Sequence, residues 1–146
     1  MKELYLALLL QLKTSVPELK WIDLDSGQLN ASERPPLAYP AALVKINYPS
    51  TTKIGGGKQY ADVQLTLRLV FDATGSRTSA AIDTAIITNS LAWLDTTDKV
   101  YTALQGWKQI DTLYNESEPF ECTSRGQESP RSDGLIVFSL TFTSSE

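Results

Sequence analysis

YADVQLTLRLVF, running from Tyr60 to Phe71, alternates apolar and polar side chains almost without a fault. Ala61, Val63, Leu65, Leu67, Leu69 and Phe71 fall on one side, and Tyr60, Asp62, Gln64, Thr66 and Arg68 on the other, with only Val70 breaking the polar series. A helix would scatter these six apolar groups around its axis, whereas a strand lines them up on one face. The stretch therefore predicts a half-buried strand at the centre of one sheet, with its apolar face covered by other elements.

On the N-terminal side, Ala41 to Tyr48 (AALVKINY) alternates in the same way, with Ala42, Val44, Ile46 and Tyr48 opposite Leu43, Lys45 and Asn47. Between the two lies Pro49 to Gln59 (PSTTKIGGGKQ), whose three glycines read as an extended hairpin connection joining an antiparallel pair. On the C-terminal side, Asp72 to Thr78 turns the chain and the period moves toward 3.6. Ala81, Ala85, Leu91 and Trp93, with Ile82, Ile86 and Ile87, make an apolar helical face that Thr78 or Ser79 can cap. The tract Asp95 to Asp98 reads as a break, followed by a shorter helix, Lys99 to Gln105, that turns Val100, Tyr101 and Leu104 inward and stops at Gly106.

Further out, Lys2 to Ser15 predicts a helix ended by the Val16-Pro17 step. Its leucines form two rows, Leu4, Leu8 and Leu12 on one flank and Leu6, Leu9 and Leu10 on another. The second row either meets another subunit or is covered within the same chain. Lys20 to Leu24 reads as a short strand, and Asp25 to Pro40, with Gly27, Pro35, Pro36 and Pro40, as a long loop. Lys108 to Cys122 reads as a strand made irregular by Pro119 and lying near an edge, Thr123 to Gly134 as a loop, and Leu135 to Thr143 as a closing strand. The order predicts one two-layer α+β domain over residues 1–146, a mainly antiparallel sheet of four to five strands with helices on one face. The other face, offering Lys45, Asn47, Gln64, Thr66, Arg68, Ser139, Thr141 and Thr143, is either wet or set against a polar partner.

Composition removes whole classes of function. At 146 residues, with 42% hydrophobic and 21% charged residues, the chain is long enough to bury one core. Seventeen acidic against 13 basic residues, with no basic run, leave no footprint for a phosphate backbone, so direct nucleic-acid recognition is not expected. A lone cysteine, Cys122, allows no internal disulfide, and the lack of histidine removes the usual acid/base switch and the commonest zinc ligand. Leu4 to Leu12 looks like a secretory core, but Glu3, Gln11 and Lys13 and the missing cleavage site favour a helix of the folded domain, and the run is too short to span a membrane.

The motifs that invite chemistry fail on their surroundings. Gly55-Gly56-Gly57-Lys58 is followed by Gln59 and a strand, where a phosphate loop needs Ser or Thr and a helix. Asp23-x-Asp25-x-Gly27 lacks the remaining ligands of a calcium loop, so Asp25 reads as a turn or cap residue. Glu116/Glu118 and Glu118/Glu121 are carboxylate pairs in polar surroundings, a pattern more typical of solvated surface than of a glycosidase. No enzyme is expected. The weight moves to loops that carry interface-type residues, and Arg34, Tyr39, Tyr48, Lys53, Ile54, Lys58, Arg68 and Arg131 are the candidate contacts to a subunit or partner.

Taken as a whole order, the chain resembles the tail terminator, or tail completion, proteins of long-tailed bacteriophages. The resemblance runs from LYLALLLQL through a Pro-marked loop into AALVKINY, a glycine-bearing hairpin, YADVQLTLRLVF, a helical crossover ending near LQGW, KQIDTLYNESEPFE and LIVFSLTF. The Pro-rich loop and the Thr123 to Gly134 segment are long for that pattern, and no ligand motif transfers residue by residue. The resemblance implies an α+β subunit of a homo-hexameric ring that caps the tail tube and docks the head connector, with no cofactor. It also implies residence in the virion tail or neck, after a period in the host cytoplasm before assembly. A head-to-tail connector or other neck component is the structural alternative, to be told apart by copy number and position in the particle. A small carboxylate enzyme or ligand-binding domain is the alternative from another class, and it would need a concave apolar pocket with convergent acids.

Overall fold

A computed structural model gives the fold; it describes residues 2–30, 35–55, 58–73, 84–108, 119–129 and 131–145, and along 50–61 the backbone alone. The leucine-rich start forms α1, Lys2–Ser15. Leu4, Leu8 and Leu12 recur at one turn and bury, together with Val16 just past the helix. Val16 still donates to the Leu12 carbonyl (2.8 Å), and Pro17, lacking an N–H, ends the run. The second leucine row is not covered in the same way, since Leu6 and Leu10 are 51% and 68% exposed.

Five strands follow: β1 (Trp21–Leu24), β2 (Ala41–Gly55), β3 (Lys58–Asp72), β4 (Glu121–Gln127) and β5 (Leu135–Ser145), in the spatial order β1-β2-β3-β5-β4. The alternating segment read first is the central strand, β3. Only β1 and β2 run parallel, and the other neighbours are antiparallel. Two helices, α2 (Thr84–Ser90) and α3 (Ala92–Leu104), connect β3 to β4. Helices α1 and α3 pack on the same sheet face, which gives the α+β, two-layer arrangement expected from the alternation.

That face is apolar along most of its length, with Ser144 opposite Val63 as a buried polar exception. In register across it stand Ala42 with Leu69 and Phe138, Val44 with Leu67 and Leu140, and Ile46 with Leu65 and Phe142. Val100 and Leu104 of α3 join the α1 leucines above these rows. Each fully buried leucine contributes about 1.5–3 kcal/mol relative to an exposed one, so β3 holds the layers together. Gly106 stops α3 with φ +76°, a conformation that a side chain would strain.

The opposite face is divided. Ala41, Val70 and Val137 form one row at one end, and with Leu43, Leu135 and Leu29 they make a second core that Leu37 and Tyr39 of the proline-rich segment cover. Val70, the one fault in the polar series of β3, therefore has its own apolar partners. From Lys45, Thr66 and Thr141 onward the rows are polar. A uniformly polar second face, the expectation from alternation, holds for only part of it.

Four further expectations change. The Pro49 to Gln59 connection is mostly strand: Thr51 pairs with Ala61, Thr52 with Tyr60, Lys53 with Gln59 and Gly55 with Lys58, beyond a bulge after Asn47. The helical break falls at Leu91, not in Asp95 to Asp98, because Thr96 and Thr97 are buried inside α3 and Thr97 Oγ1 donates to the Leu94 carbonyl at 2.7 Å. The apolar face predicted around Ile86 is largely exposed, while Ala81, Ile82 and the Thr78/Ser79 cap lie outside the described residues. Residues 123–127, read as loop, belong to edge strand β4, and Gln28–Asn30 forms one 3-10 turn within the long loop. Of the strand expected over Lys108 to Cys122, residues 109–118 lie outside the described residues, and Phe120 is buried and stacked on Trp107 at 5.6 Å.

Candidate functional site

The polar half of the second face is held by a charged cluster around Arg68, which β3 places at the border between the small core and the polar rows. Arg68 Nε donates to Glu128 Oε2 (2.7 Å) and Nη2 to Glu128 Oε1 (2.8 Å), a fork-to-fork pair, and Nη1 lies 3.5 Å from Asp25 Oδ2. Glu128 follows β4 and Asp25 follows β1, so one guanidinium ties both outer strands to the central one. The Glu128 hydrogen bond raises the Arg68 pKa against the opposing effect of burial, and the charges of Glu128 and Asp25 add to the rise. Asp25 also accepts from the Gly27 amide at 3.1 Å, the bond of the turn residue expected there.

Arg131 stands beside this cluster and feels the charges of both Arg68 and Glu128. Its Nη2 donates to Asp133 Oδ2 at 2.8 Å. Hydrogen bonding to Arg131 holds the Asp133 carboxyl below its ordinary value, with a backbone bond from Leu135 acting in the same direction. These bonds satisfy the charged groups of a polar rim. It can present charge to a partner.

The candidate contacts do not gather at one place. Arg68 and Arg131 come together on the second face. Tyr39 is half-buried at its covered end, donating to the Pro35 carbonyl at 2.7 Å, and Tyr48 packs against the core on the opposite face. Lys53, Ile54 and Lys58 belong to the end of the β2–β3 ribbon, and Arg34 lies outside the described residues.

Two clefts lie among the described residues. One, about 280 Å³, is lined by Tyr39, Phe71, Asp72, Trp93 and Thr96, with Phe71 and Trp93 in aromatic contact at 5.5 Å. The other, about 340 Å³, lies between α1 and β1, with Leu9, Leu19, Trp21 and Ile22 as its apolar wall and Lys13 and Lys20 at its rim. Among the described residues no three Cys, Asp or Glu side chains come together as a metal site, and Cys122 Sγ points at the Ser124 carbonyl, 3.5 Å away. Glu121 begins β4, while Glu116 and Glu118 lie outside the described residues.

Sequence reasoning missed the packing of Arg125 over the Tyr101 ring at 4.3 Å, which fastens β4 to α3, because both flanks of Arg125 read as loop. It also missed the exposed Trp21 at the edge of the second cleft. The second leucine row of α1 was its available signal.

No protein-family model matches the chain, and no curated protein sequence matches it. Among solved structures it is similar to a chain of the virion of the native gene transfer agent (GTA) particle, with a TM-score of 0.45 and 12% identity over 99% of this chain and 88% of that one. A likeness of that size assigns the chain to no family.

Proposed function

We propose that this chain is a virion structural subunit of the tail-terminator kind. Six copies form a ring that caps the tail tube and offers its free side to the head connector. The work is done by fitted surfaces and needs neither a catalytic group nor a cofactor. The subunit waits in the host cytoplasm and ends in the tail or neck of the particle.

The observation that carries this reading is the ribbon made by β2 and β3. Beyond Asp62, where β5 ends its pairing, Thr51, Thr52, Lys53 and Gly55 of β2 pair with Ala61, Tyr60, Gln59 and Lys58 of β3, and among the described residues no third strand pairs with them. A two-stranded ribbon is marginal in water by itself, so one that extends from a five-stranded body is suited to lie against a neighbour. The element order of the tail-terminator resemblance supports the same reading, as does the hydrogen-bonded polar rim around Arg68.

Removing Ile54 to Lys58 tests it. The shortened chain is expected to melt within about 3 °C of the intact one, because the deletion keeps every buried residue named above for the two cores. It is expected to lose sixfold rings in electron micrographs and to fail to complete tails. Rings and tails formed as before would remove the ribbon from assembly, and intact particles carrying the protein anywhere but the head-proximal tail end would remove the function.

A further inference from the structure

The sheet ends in two edge strands, and the chain treats them differently. At β1, four residues long, Asp25 N–H donates to the Val44 carbonyl (2.8 Å), so Leu24 before it turns its backbone groups outward. Both are already used. The Leu24 amide donates to Asp23 Oδ1 (2.8 Å), and its carbonyl accepts from Gln28 Nε2 (3.0 Å). Where β2 runs on past β1 it carries the exposed Lys45 and Pro49, residues that discourage a further strand.

β4 is seven residues long and contains neither lysine nor proline. Glu128, just beyond it, donates to the Val137 carbonyl at 2.8 Å, so Gly126 and Ser124 at alternate positions also face β5. Arg125 and Gln127 therefore turn their N–H and C=O groups outward, where no described residue bonds them. Nearer the start, before a bulge, the outward amide of Cys122 is taken by Gln105 Oε1 at 2.8 Å. Arg125 does not guard the edge, because its guanidinium is drawn back over the Tyr101 ring at 4.3 Å. Every residue of β4 except Cys122 is exposed, and a Cβ placed on Gly126 would meet nothing within 4 Å.

An open ladder decides what can cover it. Outward N–H and C=O groups at alternate residues match another extended backbone, and the space beside Gly126 suits a bulky side chain on the added strand. We infer that β4 receives an extended segment of another polypeptide, which bonds Arg125 and Gln127 and sets a bulky residue across from Gly126. A second copy using the same edge is the poorer occupant. Centred on Gly126 it sets glycine against glycine, and centred on Arg125 it sets two guanidiniums against each other. The inference goes beyond the proposed ring and does not depend on it.

Titrating the full chain with the peptide acetyl-Thr-Val-Thr-Phe-Thr-Val-Thr-amide, followed by NMR and amide exchange, tests the pairing. Half-saturation is expected below about 1 mM. At saturation the Arg125 and Gln127 amides should exchange about tenfold more slowly, while Gly126 and Glu128, bonded to β5 beforehand, change by less than about twofold. Gln127→Pro removes one outward donor and leaves the bonds to β5. It should melt within about 4 °C of the wild type and bind the peptide about tenfold more weakly. Methylating the peptide nitrogens on both sides of its phenylalanine should weaken binding by about the same factor with the protein unchanged.

No binding at about 2 mM peptide overturns the inference. Binding that leaves the Arg125 and Gln127 amides unprotected overturns it too, as does binding that Gln127→Pro or peptide methylation leaves unchanged. If the chain alone associates at about 100 µM and Gln127→Pro abolishes that association, the occupant is a second copy and the inference also falls.

Discussion

The two sides of β3 solve different problems with side chains that alternate along one strand. On the helix side, Val63, Leu65, Leu67, Leu69 and Phe71 are all buried. On the other side, Gln64, Thr66 and Arg68 remain partly exposed, and Arg68 replaces packing with ion pairs to two outer strands. The first side holds the chain together through area removed from water, which is large and indifferent to salt. The second fixes the relative positions of β1, β3 and β4 through directional bonds, which are weaker and sensitive to salt. The assembly role proposed above would call on both, a core for stability and a face whose charges are held in place.

The sharpest way to break this contrast is Leu67→Ala against Thr66→Ala. Leu67 is fully buried between Val44 and Leu140 in register, so truncation is expected to cost about 2–5 kcal/mol in urea unfolding. Thr66, one residue away and partly exposed, is expected to change stability by less than about 0.5 kcal/mol. Comparable losses at the two positions would mean that the polar side carries as much of the fold as the apolar side.

Arg68→Met comes next in size. It keeps the aliphatic stem and removes the fork, leaving Glu128 and Asp25 without their shared cation. With the Arg68 and Glu128 side chains 21% and 34% exposed, solvent screens the pair, and the expected loss is about 1–2 kcal/mol. A double-mutant cycle with Glu128→Gln should give a coupling of about 1 kcal/mol that shrinks in 1 M salt. A coupling near zero would reduce Arg68 to a side chain that packs by its stem alone.

The same contrast explains what could be read without the structure. Burial on one side imposes period two, so β3, the first half of β2 and β5 were legible, and the helices that bury leucines at turn spacing were legible for the same reason. Edge strand β4 was not, because nearly all of its side chains are exposed and nothing forces Glu121 to Gln127 to alternate. The ribbon beyond Asn47 read as a loop on its glycines, although its backbone continues the ladder. Threonines misled in the other direction: Thr96 and Thr97 suggested a break and lie buried inside α3. The rim around Arg68 was half-legible. Arg68 stands out on an alternating strand, but its partners are 43 and 60 residues away in sequence, and no local pattern connects them.

The smallest effect tests both layers at once, because each has one carboxylate whose pKa is depressed. Asp133 on the rim is lowered first by its hydrogen bond from Arg131, and Glu18, beside α3, first by its bond from Lys99. In the unfolded chain these groups take up protons near their ordinary values of 3.8 and 4.5, before the folded protein does. Their stabilisation is therefore complete above those values and is lost as pH falls through the lower folded ones. Both are partly exposed, so each is expected to contribute only a few tenths of a kcal/mol. Asp133 is the better held, with a bidentate partner and the Leu135 amide, so Asp133→Asn should flatten the acid limb of a melting-temperature profile below pH 4.5 more than Glu18→Gln does. The reverse ranking would place the more tightly fixed charge in the helical layer and undo the division of labour between the two sides of β3.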